Sequence, residues 1–332
     1  MHVSDLSTPA LVIDAAQFDH NLATMAAYLP GARLRPHVKA HKCTALAAAQ
    51  VGVGHHTFTC ATPREVIGMA RAGVGADLLL ANETIDATRL RAMAELDVAV
   101  TVAVDSDETI RAAAAAGITA CLIDVNVGLP RCGIAPEEAG RLADRAGAAG
   151  LDVRGVMGYE GHLMMVADRS ERLASVERSM GLLLAASADV GGEIISAGGT
   201  GTYDLHENTG VSEIQAGSYA LMDTHYGKQG LPFGQALFVI GTVISVSAGW
   251  AVADVGLKAL GMDHGNPSVF GGTVRFCSDE HLTFRPDEPV AVGDRVRVIP
   301  AHVDPTMAMH ESAWLIHNDE VIDQWPITLR GW

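Results

Sequence analysis

The sequence predicts an α/β protein: a (β/α)8 barrel followed by an all-β domain. Three observations predict it. Extended segments alternate with helical patterns from residue 34 to residue 215. After Phe233 the texture changes to short strands bounded by glycine and proline. Polar and glycine-rich clusters recur where the extended segments end, which is where barrel enzymes place their chemistry.

The first apolar run, Ala10-Leu11-Val12-Ile13-Asp14, reads as a strand. Further extended segments are expected at 34–40, 56–61, 76–81, 99–105, 120–125, 153–158, 193–197 and 211–215. Helical patterns at 44–51, 63–72, 84–96, 107–116, 136–149 and 169–187 fill most of the gaps. Pro63 and Pro136 sit where a first-turn proline is tolerated. Gly73, Gly117 and Gly150 follow as stop signals. The eighth repeat is irregular, because residues 201–210 are too short and polar for a full helix. Residues 238–246 then alternate with the period of a strand, and short strands continue through 296–300 and 313–316. The expected domains are a barrel over 9–232 and a β domain over 233–332. The strand within residues 1–14 is a candidate to join the β domain.

Composition narrows the function. A formal net charge of −16 argues against nucleic acid or an anionic membrane surface as partner. No run of about 18 apolar residues is present, so no membrane span is expected. The start, Met1-His2-Val3-Ser4-Asp5, has neither a basic nor an apolar leader region. The five cysteines, Cys43, Cys60, Cys121, Cys132 and Cys277, are scattered without paired spacing, which fits a reducing compartment. A cytoplasmic protein is expected.

Lysine is used sparingly. Only Lys39, Lys42, Lys228 and Lys258 occur, and two of them lie in Arg35-Pro36-His37-Val38-Lys39-Ala40-His41-Lys42. A lysine close to other cations or partly desolvated has a lowered pKa and becomes a nucleophilic amine. Pyridoxal phosphate enzymes hold their cofactor on such a lysine. A solvated basic loop is the plainer alternative for the octapeptide alone.

Other strand ends carry further chemistry. Strand five runs on to Arg131, and strand six ends in Gly158-Tyr159-Glu160-Gly161-His162. Strand seven ends in Gly198-Gly199-Thr200-Gly201-Thr202, whose glycines let backbone N–H groups approach an anion while threonine hydroxyls add donors. Gly217-Ser218-Tyr219 after strand eight could supply the other half of a phosphate site. In the β domain, His302-Val303-Asp304-Pro305 places a nitrogen and a carboxylate two residues apart. On an extended chain these two face one side and suit a divalent cation. A simple polar turn is the alternative there.

These motifs, with residues 155–162, 196–202, 215–223, 254–260 and 300–306, resemble in order those of the D-threonine aldolase and D-serine dehydratase family. That family belongs to the fold-type III pyridoxal phosphate enzymes, the group that contains alanine racemase. The resemblance covers almost the whole chain. It implies a barrel plus a C-terminal β domain with the active site between them, and pyridoxal phosphate held on Lys39. It also implies Arg131 near the cofactor's phenolic oxygen, Tyr159 near its ring, and Gly199, Thr200, Gly201 and Ser218 near its phosphate, with Tyr219 beside them. His302 and Asp304 would bind the metal. Dehydratase members usually carry His-x-Cys and zinc at that site. Asp304 matches the aldolases and favours Mn2+ or Mg2+, with Zn2+ as the alternative. A second departure is Ala40, where the motif has threonine.

The expected activity is a carbon–carbon lyase that cleaves D-β-hydroxy-α-amino acids of the D-threonine type to glycine and an aldehyde. His162, at the end of strand six, is the expected base. The partners expected are an amino acid substrate and a second copy of the chain. The rivals are a D-serine or D-3-hydroxyaspartate dehydratase, a racemase, a non-catalytic pyridoxal phosphate carrier and a metal hydrolase barrel.

Overall fold

A computed structural model describes residues 1–332. Its packing separates two units. One holds Ala26–Lys39 and Ala47–Gly217; the other holds Met1–Met25, Ala40–Leu46 and Ser218–Gly331. These divisions differ from the expected 9–232 and 233–332. The first 25 residues and the stretch from Ser218 pack with the β-rich unit.

In chain order the regular elements begin with β1 (Ala10–Asp14), α1 (Ala15–Tyr28) and α2 (Thr44–Gly52). The repeating part follows: β2 (Thr57–Cys60), α3 (Pro63–Arg71), β3 (Asp77–Leu80), α4 (Ala87–Ala94), β4 (Ala99–Val104), α5 (Asp107–Ala116) and β5 (Ala120–Asp124). It continues with α6 (Ala139–Ala148), β6 (Asp152–Met157), α7 (Arg169–Val190), β7 (Ile194–Ala197) and β8 (Glu213–Ile214). Local chemistry sets the boundaries. Thr62 caps α3 by accepting the Glu65 N–H, with Pro63 in the first turn. Asp86 caps α4 by accepting from Thr88 and Arg89, so that helix starts later than the expected residue 84.

β2 to β8 form a seven-stranded parallel sheet in strict sequence order. Residues 34–37 join its two edges. Leu34 bridges Ile214 and His37 bridges Thr59, both parallel. The Arg35 N–H bonds to Ile214 O at 2.9 Å, and the Thr59 N–H bonds to Pro36 O at 2.9 Å. This segment therefore takes the first barrel position. Pro36 has no N–H to give, which keeps the pairing short. The expected strand over 34–40 is thus too long: Val38–Ala40 turn into a 3-10 helix.

The barrel interior is apolar in one layer, where Leu79, Ala103, Leu122 and Met157 meet. Another part of the unit is ionic. Arg35, 3% exposed, bonds Glu213 at 2.8 Å and Asp77 at 3.2 Å. Arg154 bonds Asp77 at 2.6 Å and Thr101 at 2.5 Å. Burial opposes the charges, yet Glu213 and Asp77 hold Arg35 above its ordinary value, and Arg154 and Arg35 hold Asp77 below its own.

The β-rich unit contains β1 and the C-terminal strands β9 (Leu237–Ser247), β10 (Trp250–Ala253), β11 (Ser268–Val269), β12 (Gly272–Cys277), β13 (Leu282–Pro286), β14 (Arg295–Ile299), β15 (Ser312–His317) and β16 (Glu320–Pro326). A short helix, α8 (Val303–Met309), lies between β14 and β15. The sheet order is β10-β13-β12-β11-β14-β9-β1-β15-β16, and β10 also pairs with β9. That extra pairing closes β9 to β14 into a ring. β1 lies between β9 and β15, buried with Val3, Leu6, Phe238, Ile240 and Ile316. No helix is long and apolar enough to cross a membrane.

Candidate active site

In the barrel unit three strand ends converge on one ring. Lys39 follows the closing segment, Arg131 lies on the loop after β5, and Tyr159 stands two residues beyond β6. Lys39 Nζ and Arg131 Cζ each lie 5.5 Å from the centroid of the Tyr159 ring. Asn126 shapes the Arg131 loop, accepting the Gly128 N–H at 2.9 Å and donating to Leu129 O at 3.2 Å. The Lys39 N–H bonds to His37 Nδ1 at 3.5 Å and not to a strand, so the ladder ends before the lysine. Simple alternation therefore does not set Lys39 apart from Lys42, which has φ 49°.

The glycine loop leaves β7. Gly198 has φ +78°, a conformation that glycine adopts without strain. A Cβ at Gly201 would meet Met164 O at 2.3 Å, so only glycine fits against that backbone. A Cβ at Gly199 would lie 3.4 Å from Tyr159 Cε2, which places the tyrosine ring beside the loop. Thr200 is 2% exposed. His162 falls on a 3-10 turn over Gly161–Leu163, exposed, with its ring against Gly128.

An acid pair that sequence reasoning missed lies behind Arg131. Asp124 ends β5 in a buried position. Burial and then the Glu83 charge push its carboxyl well above the usual range, with Arg131 opposing.

In the β-rich unit a second cluster surrounds His302. Asp304 does not sit on an extended chain, as the spacing had implied, but in the first turn of α8, with His302 at the cap position. Pro305 is the reason this works, since a first-turn proline leaves no helix bond unmade. His302 Nε2 nevertheless lies 3.9 Å from Asp304 Oδ1. That is too long for a hydrogen bond and in range for two donors to one ion with bonds of about 2.0–2.2 Å.

His302 Nδ1 lies 2.8 and 3.0 Å from the two Asp263 oxygens. Asp263 thus fixes Nδ1–H as a donor and leaves Nε2 for a metal. Burial pushes the Asp263 carboxyl up, but the His302 hydrogen bond and charge bring it below its ordinary value. The His264 ring stacks on His302 with centroids 3.9 Å apart, and His225 lies 4.6 Å from His264. Donor atoms of Asp263, His264 and His302 all fall within 4.8 Å of one another. Gly261 allows this packing, because a Cβ there would meet Pro305 Cγ at 2.4 Å. Asp223, fully buried, ties the cluster to α8 by accepting N–H groups from His225, Tyr226 and Val303 at 2.8–3.0 Å.

The two remaining expected residues fall in the β-rich unit. The Ser218 hydroxyl reaches Asp304 Oδ1 at 3.3 Å. Tyr219, expected beside the phosphate, is fully buried with its ring 5.6 Å from Phe233, so its side chain presents no surface to a ligand. A nitrogen–oxygen donor set at His302 and Asp304 fits a divalent cation. A half-buried lysine and an arginine around one aromatic ring, beside a glycine loop, fit an anionic pyridine cofactor.

Barrel, lysine and accompanying β ring define the fold-type III class of pyridoxal phosphate enzymes. Residues 13–225 match the model of the alanine racemase N-terminal domain, and residues 236–316 match that of the putative serine dehydratase domain. The chain belongs to the D-threonine aldolase and D-serine dehydratase family. It is 33% identical to a D-threonine aldolase of an Arthrobacter species, over 98% of this chain and 93% of that protein. It is 32% identical to a 3-hydroxy-D-aspartate aldolase of Paracoccus denitrificans, over 100% and 94%. Among solved structures, the D-threonine aldolase from Filomicrobium marinum superposes with TM-score 0.94 at 35% identity, covering 99% of this chain and 96% of that one. The D-threo-3-hydroxyaspartate dehydratase from Delftia sp. HT23 superposes with TM-score 0.89 at 26% identity, covering 100% of both chains. Family membership supports pyridoxal phosphate as the cofactor.

Proposed function

We propose that this chain is a pyridoxal phosphate- and divalent metal-dependent aldolase that cleaves D-β-hydroxy-α-amino acids of the D-threonine type to glycine and an aldehyde. The observation that carries the reading is Asp304 beside His302, on a chain 32–33% identical to two D-amino acid aldolases over 98–100% of its length. A carboxylate there is a hard donor, whereas the dehydratase members place a thiolate.

Lys39 anchors the cofactor through its amine. Arg131 would face the phenolic oxygen, Tyr159 would flank the ring, and Gly199, Thr200 and Gly201 would hold the phosphate. What pyridoxal phosphate supplies when bound is a sink for the electron pair released at Cα. His302 and Asp304 would hold a divalent ion, Mn2+ or Mg2+ in preference to Zn2+, which would supply Lewis acidity toward a β-hydroxyl. Asp263 orients His302, and the Ser218 hydroxyl steadies Asp304. His162 takes the hydroxyl proton as general base.

A β-eliminating dehydratase is the second reading, supported by the likeness to the D-threo-3-hydroxyaspartate dehydratase at 26% identity. The reading includes a homodimer, which sedimentation would check. Five cysteines that form no disulfide support a reducing, cytoplasmic setting. The function itself is tested by incubating the holoenzyme with D-threonine, D-serine and D-3-hydroxyaspartate and identifying the products. Glycine with an aldehyde is expected. Ammonia with a keto acid would establish the dehydratase, and the mirror-image amino acid a racemase.

A further inference from the structure

Directly beneath the glycine loop lies a carboxylate that no role described so far uses. Glu160 follows Tyr159 and is 0% exposed; its partner His206 is 1% exposed. Glu160 Oε1 accepts from the Thr202 hydroxyl at 2.7 Å and pairs with His206 Nε2 at 3.0 Å. Glu160 Oε2 accepts the Gly198 N–H at 3.1 Å. Gly198 and Thr202 are the first and last residues of the loop, so one carboxylate grips both ends.

The loop is also closed on itself. The Thr202 N–H bonds to Gly199 O at 3.1 Å, and the Gly199 N–H bonds to Thr202 Oγ1 at 3.3 Å. Gly201 contributes its N–H to none of these bonds. The Thr202 hydroxyl is spent inward on Glu160. His206 is itself backed by Thr209, whose hydroxyl lies 3.4 Å from His206 Nδ1.

A buried carboxylate is unfavourable unless donors satisfy it, and its removal leaves those donors unpaired. Here two of the three partners, the Gly198 N–H and the Thr202 hydroxyl, belong to the loop itself. Losing Glu160 would therefore act first on the loop's shape. We propose that Glu160, braced by His206, is a positioning residue that holds residues 199–201 as the arch that receives the cofactor's phosphate. This rests on the reading that the loop takes that phosphate.

The test separates the two ideas. The cofactor is removed from the full-length protein, which is then titrated by absorbance with pyridoxal phosphate and, separately, with pyridoxal. Both ligands carry the aldehyde that Lys39 engages; only one carries phosphate. The wild type should bind pyridoxal phosphate far more tightly than pyridoxal. Glu160→Gln should reduce that preference about ten- to hundredfold and change pyridoxal affinity by less than about threefold. A wild type with no preference would refute the phosphate reading itself. A preserved preference in Glu160→Gln, or equal losses for both ligands, would overturn the positioning role. If Glu160→Gln does not fold, Thr202→Val and Thr202→Ser decide: the valine variant should lose preference and the serine variant should keep it. A wild-type preference in Thr202→Val would count against the proposal.

Discussion

At the residue scale the proposal rests on a few atoms, and each can be moved singly. Lys39, and not Lys42, should carry the cofactor, because Lys39 Nζ shares the Tyr159 ring with Arg131. Borohydride reduction and peptide mapping should place the pyridoxyl label on Lys39; a label on Lys42 would end that assignment. Asp263→Asn should weaken metal binding about 10- to 100-fold, the usual effect of losing the carboxylate that orients a ligating histidine. The absorbance of bound pyridoxal phosphate should stay unchanged. Calorimetric titration with Mn2+ checks the first part, and unaltered affinity would show that Asp263 does not set the His302 orientation. Asp304→Cys should shift bound metal toward zinc and lower glycine yield from D-threonine. Elemental analysis showing the same metal as the wild type would refute the hard-donor account. Lys39, His302 and Asp304 stood out as candidates in the sequence because rarity and short spacing are local signals. Asp263 and Glu160 were not legible, because their histidine partners lie 39 and 46 residues away.

At the element scale the alternation of strands and helices was readable because local signals bound most repeats: α3, α4, α5 and α7 each start at a side-chain cap. The closing segment was readable only in part. Its sequence looks extended to residue 40, but Pro36 limits the ladder and the chain coils at Val38. Likewise His302 and Asp304 were expected on an extended chain, and α8 begins between them. The ionic interior around Arg35 was not readable at all, since Glu213 lies 178 residues from it. That network gives the barrel's closing segment a specific test. Arg35→Ala strips Glu213 and Asp77 of their shared partner inside the barrel. Removing one member of a buried pair typically destabilises by about 3–5 kcal/mol. Urea unfolding should show a loss of that order, and a change below about 1 kcal/mol would mean that the network contributes little.

At the scale of the whole molecule, acid sensitivity combines groups of opposite sign. Asp77 and Glu160 titrate below their ordinary values, because hydrogen bonds and opposite charges outweigh burial. Each stabilises the fold fully above the unfolded carboxylate value of about 4 and loses that contribution as pH falls through its lower folded value. Asp124 and Asp223 are raised, chiefly by burial, so each is destabilising above its folded value and relieved as pH falls. The difference in Tm between wild type and Asp77→Asn should therefore be largest near neutrality and shrink below about pH 4. A gap that stays constant from neutrality into acid would assign the Asp77 effect to packing alone.

The proposed cleavage requires both pyridoxal phosphate and a divalent metal. The most direct measurement is the yield of glycine, acetaldehyde and ammonia from D-threonine in one sample containing pyridoxal phosphate and Mn2+, taken before and after exhaustive chelation. The account predicts glycine and acetaldehyde in equal amounts with negligible ammonia, and loss of both products after chelation while the cofactor's absorbance persists. Ammonia as the main product, or glycine release that survives chelation, would contradict it.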